Sequence, residues 1–161
     1  MDLTGILSTR LLKEGEKCPY GEEVAPRISG TNHQHFFCVR LDMQVDGDRN
    51  SVLEVNSVQG PRNKETNPFL NTFLVEKTLL KKEADAQRVI NPLSNRHWLI
   101  ANLDKKNAMG NPVAYALIPG DNVLPFHYPD APLMQRAPFL QKHLWVTPYN
   151  DRERYPGTMA S

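Results

Sequence analysis

A mainly β fold, an antiparallel β-sandwich with one short helix and long loops, is what this sequence predicts. Three observations point there. Apolar residues alternate with period two from His33 onward. Clusters of Asp, Gly, Asn and Pro separate the apolar runs. Thirteen prolines divide the 161 residues into short stretches, which suits strands and loops better than a helical bundle. A chain of this length can bury a core of its own.

The elements follow in order. His33, His35, Phe37, Val39 and Leu41 fall on one side of an extended segment, and Gln34, Phe36, Cys38 and Arg40 on the other. Both sides are largely apolar near the start, so the spacing predicts an interior strand over 33–41. Residues 46–51, DGDRNS, make a turn, and 52–58, VLEVNSV, return as the second strand of a hairpin. Pro61 and Pro68 bar regular structure from the loop at 60–71. Residues 72–80, TFLVEKTLL, form another strand. The helix is expected at 81–90, KKEADAQRVI, where Ala84, Ala86 and Gln87 favour it and Glu83 and Arg88 sit near the ends that the helix dipole prefers. RHWLIANL, 96–103, is a strand; 104–112 turns; VAYALIP, 113–119, returns. A proline-rich loop fills 120–138, and 139–149 is a last strand bent at Pro148.

Composition excludes some classes of function. The net charge is +1, and acid and base are interspersed, so no basic face for nucleic acid is indicated. Lys81 and Lys82 are followed by Glu83 and Asp85, which reads as a solvated face. No run approaches the roughly 18 apolar residues of a membrane span, and the first residues carry Asp2 and no secretory apolar core. Cys18 and Cys38 are far apart and fit no CxxC pattern, which suggests reduced thiols. Together these features favour a reducing compartment such as the cytoplasm.

The chemistry concentrates in residues 32–37, NHQHFF. Histidines at i and i+2 of a strand share a face, and two parallel imidazoles can chelate one metal ion such as copper or zinc. The alternative is a pair of half-buried histidines bonded to neighbours. Copper needs at least a third ligand, and the remaining histidines have no spacing that argues for the role. His97 packs at a strand start, His127 lies exposed in the proline-rich loop, and His143 sits at an exposed edge. A cupin also uses this pair, but Gly30 and Asp42 do not stand where a cupin wants its glycine and acid.

The longer run NHQHFFCVRLDMQVDG closely resembles the copper-binding strand of the copper- and quinone-dependent primary-amine oxidases. Other stretches agree in the same order: LTGILS, YGEEVAPRISGTNHQHF, NPVAYALIPGDNVLPF and HLWVTPYNDRERYP. The similarity covers nearly all of residues 3 to 156, and the whole of 1–161 is identified as part of a copper amine oxidase catalytic domain. The resemblance implies that His33 and His35 are two of three copper ligands. It implies that Asp42, through its carboxylate, and Met43, through its carbonyl, belong to a second, structural cation site such as calcium; the alternative for Asp42 is a partner for Arg40 or a turn residue. It also implies a homodimer in which long hairpin arms occur, and 46–51 is a place for one to begin.

In that family a tyrosine in an N-Y-D/E motif is oxidised to topaquinone, the quinone condenses with a primary amine, and an aspartate removes the α-proton. Oxygen then restores the cofactor, and aldehyde, ammonia and hydrogen peroxide result. This sequence departs from the pattern. It contains no N-Y-D or N-Y-E, and Tyr149, in PYND, reads as a packing residue. No residue matches the catalytic aspartate or the third copper histidine. The expectation is therefore an internal piece of such an enzyme, carrying two copper ligands and inactive alone. The competing expectation is a non-enzymatic β-sandwich module that binds metal or another chain.

Overall fold

The computed structural model describes residues 5–150 together with Arg152 and Pro156. The backbone divides into two compact units, Met1–Phe37 and Cys38–Ser161.

In the first unit, β1 (Thr9–Leu11), β2 (Gly21–Ala25) and β3 (Ile28–Thr31) form an antiparallel sheet in the order β1-β3-β2. The sequence pattern predicts none of these strands, because none has a clean period of two. The β2–β3 hairpin turns through Pro26 and Arg27, the latter with φ of 62°. The Arg27 guanidinium donates to the Leu12 carbonyl at 3.1 Å, and the Leu12 amide donates back to the Arg27 carbonyl at 2.8 Å. Leu12 and Ser29 are buried in this small unit. Strands β2 and β3 approach closely at Gly21, where an added Cβ would fall 2.2 Å from the Gly30 carbonyl oxygen. Only glycine permits that contact.

In the second unit, β4 (Ser51–Gln59), β5 (Phe73–Leu79), β7 (His97–Lys106) and β8 (Pro112–Leu117) form an antiparallel sheet in the order β5-β4-β7-β8. A two-residue ladder pairs β6 (Gln87–Arg88) with β9 (Leu144–Trp145). Among the described residues the one α-helix, α1, is short and spans Pro132–Arg136. The mainly antiparallel β class with a single short helix therefore stands. The strands expected at 52–58, 72–80, 96–103 and 113–119 are all present with shifted ends.

Strands β4 and β7 are central, and side chains on both of their faces are buried: Glu54, Trp98 and Ile100 on one, Val55 and Ala101 on the other. The buried carboxylate organises this sheet. Glu54 accepts two hydrogen bonds of 2.6 Å from Arg88, one of 3.3 Å from Trp98 Nε1 and one of 3.1 Å from Asn56. Arg96 Nε lies 3.2 Å from the same carboxylate and donates to Asn56 Oδ1 at 2.9 Å. Burial opposes ionisation of Glu54, but the bonds from Arg88 and Asn56 and the charges of Arg96 and Arg88 overcome it and hold its pKa down at about 2.

Several local expectations are corrected. Residues 33–41 form no strand, and no ladder includes any residue of 32–50. The expected return strand, β4, has its two edges taken by β5 and β7, so it closes no hairpin with the histidine segment. The turn expected at 46–51 is a bend that covers residues 45–48, and Ser51 already belongs to β4. The helix expected at 81–90 is one 3₁₀ turn, Glu83–Asp85, with no side-chain cap. Beyond it the backbone is claimed by the ladder: the Ala86 and Arg88 carbonyls accept from Val146 and His143. The helix forms instead at 132–136, inside the expected proline-rich loop, where Pro132 presets the first turn and Met134 is buried. The last strand shrinks to Leu144–Trp145 behind a 3₁₀ turn at Pro138–Gln141.

His143 also departs from expectation. It is half-buried, not at an exposed edge. The Ile90 amide donates to its Nδ1 at 3.4 Å, which places the ring proton on Nε2, a buried atom with no partner among the described residues.

Two outcomes follow for stability. Glu54→Ala leaves Arg88 and Arg96 facing an empty site, and urea unfolding should show a loss of about 3–5 kcal/mol, as for a buried pair robbed of one partner. In the parent chain the Glu54 contribution is complete above pH 4.5, its ordinary value, and is lost as pH falls toward about 2. Desolvation lowers the His143 pKa below its ordinary 6.5, so the unfolded chain takes up the proton first. Stability should fall as pH drops below about 6.5, and His143→Gln should flatten that stretch of a melting-temperature profile.

Candidate metal centre

The histidine segment leaves directly from β3, the central strand of its sheet. The exit is held on both sides. The Thr31 amide donates to the Ser8 carbonyl at 3.2 Å, and the Asn32 amide to the Tyr20 carbonyl at 2.9 Å. From there exposure alternates: His33, His35 and Phe37 are exposed, while Gln34 and Phe36 are half-buried. The period-two reading of side-chain direction thus holds over 33–37 although no strand is formed, and it fails beyond, where Cys38, Val39, Arg40 and Leu41 are all exposed.

His33 and His35 lie on one side, with ring centroids 5.1 Å apart and ring planes at 84°. An imidazole nitrogen binds a metal ion at about 2 Å, which puts each centroid about 3 Å from it, so centroids up to about 6 Å apart can share one ion. The observed spacing is inside that limit. The tautomer of His33 is set as well. Its Nδ1 lies 2.9 Å from the Thr31 carbonyl oxygen, which can only accept, so Nδ1 carries the proton and Nε2 keeps its lone pair outward. The His35 ring stands nearly perpendicular to that of His33 and nearly parallel to that of Phe37, the latter with centroids 6.4 Å apart. The exposed pair can therefore offer two neutral nitrogen donors to one ion.

Among the described residues no group of three or more His, Cys, Asp or Glu is gathered to hold a metal. His97 Nδ1 lies 3.1 Å from the Asn95 carbonyl, His143 is engaged by Ile90, and His127 is exposed beside Met134 and Lys142. Asp42 is exposed. The Met43 carbonyl accepts a 3.0 Å bond from Asn50, whose amide also donates to the Gly47 carbonyl at 2.9 Å. Arg40 donates to the Asn150 carbonyl at 2.8 Å, and its guanidinium lies 4.8 Å from the centroid of the Tyr149 ring. Tyr149 is 70% exposed, so it is a stacking platform for Arg40 and not a core packing residue.

Two features escape sequence reasoning. The Thr31 carbonyl is a backbone group and leaves no trace in residue type. Asn50 looks like one more turn residue, and only the fold shows it tying together the bend at 43–47.

Comparison with known proteins places these residues in a wider setting. The family model described as copper amine oxidase, enzyme domain, matches residues 1–161. The chain is 43% identical over 159 residues to a peroxisomal copper-containing diamine oxidase of Nicotiana tabacum, covering 96% of this chain and 20% of that protein. It is 39% identical to a histamine oxidase of Arthrobacter globiformis, covering 94% of this chain and 22% of that one. The crystal structure of a copper-containing benzylamine oxidase from Hansenula polymorpha superposes with a TM-score of 0.86 at 33% identity, over 94% of this chain and 24% of that chain. The chain spans about a fifth of the length of the curated relatives it matches.

Proposed function

Because the chain belongs to the copper amine oxidase family, we propose that residues 1–161 are part of one catalytic domain that oxidises a primary amine with dioxygen and water to an aldehyde, ammonia and hydrogen peroxide. His33 and His35 supply two of the copper ligands in this reading. The observation that carries it is the exposed pair of imidazoles 5.1 Å apart on one side of their segment. Copper, once bound, supplies the one-electron chemistry with dioxygen that protein side chains lack. The chain's own part is to hold the donors. The Thr31 carbonyl keeps the His33 proton on Nδ1 and so reserves Nε2 for the metal.

The rest of the proposal lies with the assembled protein, since this chain corresponds to a fifth of its relatives. None of Tyr20, Tyr115, Tyr128, Tyr149 and Tyr155 stands in an N-Y-D/E motif, so topaquinone is assigned to a tyrosine elsewhere in the protein. Asp42 and Met43 offer two hard oxygens toward a second cation, far short of the six or more that calcium takes. They serve such a site only when other segments complete it. The assembly proposed is a homodimer, and of the cytoplasmic or peroxisomal compartments the peroxisome is supported by the name of the tobacco relative.

Two measurements test this reading on the 161-residue chain. Two imidazoles leave most of the copper coordination sphere to water, so calorimetric titration with Cu²⁺ should show weak binding that His33→Ala or His35→Ala abolishes. Tight binding that survives both changes would place the ligands elsewhere. Incubated aerobically with Cu²⁺, the chain should release no peroxide above the blank with benzylamine, tyramine or methylamine. The quinone tyrosine, the base and a third histidine are missing together, and losing one such group already costs orders of magnitude in rate. Amine-dependent peroxide that disappears in His33→Ala would overturn the assignment.

A further inference from the structure

We propose that Phe37 is a positioning residue for His35: its ring fixes the plane of the imidazole and so aims the second metal-binding nitrogen. The inference rests on the copper reading of His33 and His35 and deepens it.

The two histidines are held in different ways. His33 is anchored through Nδ1 to a backbone carbonyl, and that bond sets its tautomer and ring orientation together. The contacts on the His35 ring are aromatic. The ring of His33 lies at 5.1 Å and 84°, and that of Phe37 at 6.4 Å and 24°. Both distances fall in the range where aromatic pairs take offset or edge-to-face arrangements. Phe37 reaches His35 because i and i+2 of an extended segment share a side, the same rule that brings His35 to His33. The three rings form one row, with the His35 imidazole in the middle.

Phe37 is 52% exposed, so core packing does not explain the position of its ring. An aliphatic side chain of similar size would fill that space equally well. What it would lack is a flat face against which the imidazole plane can lie. The half-exposed setting also makes the residue replaceable without disturbing the fold.

The test uses the 161-residue chain, Cu²⁺, and the variants Phe37→Leu, Phe37→Tyr, His33→Ala and His35→Ala. Affinity is measured by competition titration and the ligand field by electron paramagnetic resonance, with melting of the metal-free chains as the control. Phe37→Leu should weaken Cu²⁺ binding about tenfold, the lower end of what loss of a ligand-orienting group costs. It should broaden the copper spectrum and leave the melting temperature unchanged. Phe37→Tyr keeps the ring and should restore both affinity and line shape. If Phe37→Leu binds and resonates like the parent while both histidine variants lose copper, the positioning role is overturned and the copper reading stands. If the histidine variants keep parental affinity, the copper reading falls and this inference with it. A spectral change in Phe37→Leu accompanied by a lowered melting temperature, with no rescue by Phe37→Tyr, would assign Phe37 to the fold instead.

Discussion

A carboxylate shut away from water is the constraint on which the larger unit depends. Glu54 sits in the middle of a central strand and is 2% exposed. A charge in that position is tolerated only when it is paired and its lone pairs are filled. The structure fills them from three directions: Arg88 from β6, Arg96 from the approach to β7, and Trp98 and Asn56 from the sheet itself. Arg96 also donates to the Val89 carbonyl at 3.0 Å, and Ser94 donates to Asn56 at 2.8 Å. The segment 88–96 is thereby sewn to the face of β4. Its course follows from where its two guanidinium groups must be.

That requirement explains why residues 81–90 are not helical. A helix would project Arg88 at an angle set by its own turn; the Ala86 carbonyl would be used internally, by the Ile90 amide, and the Arg88 carbonyl, in the last turn, would have no intrahelical partner. The observed chain gives those carbonyls to Val146 and His143 and sends Arg88 into Glu54. Local helix propensity amounts to a few tenths of a kcal/mol per residue. A desolvated ion pair left half made costs about 3–5 kcal/mol. The ion pair outweighs the propensity, and the backbone takes the course that completes it.

The histidine segment shows a different balance. Its side-chain directions are a matter of extended backbone and need no partner strand. Its anchoring is local, through the end of β3 and the Thr31 carbonyl. This member of the copper amine oxidase family carries two neighbouring exposed imidazoles and a sheet whose interior is organised by charge. Edge strand β5 carries Phe73, Leu74 and Val75 exposed. A lone exposed apolar residue is ordinary, but a run of three on an edge is a surface suited to further chain.

Much of this is legible in the residues themselves. Four of the strands in the larger unit follow from short runs rich in Val, Leu, Ile and aromatic residues between turn clusters. The shared side of His33 and His35 follows from their i, i+2 spacing, and the family from several motifs in one order. These are local properties, and the chain carries them wherever it folds. Tertiary structure alone decided whether 33–41 would become a strand, since a ladder needs a neighbour with a free edge. It alone replaced the helix at 81–90 by a turn and a ladder, half-buried His143 with its Nδ1 accepting from the Ile90 amide, and set the tautomer of His33 through a backbone oxygen. Each of these depends on which distant donors and acceptors compete for the same groups, and residue order along the chain does not encode that competition.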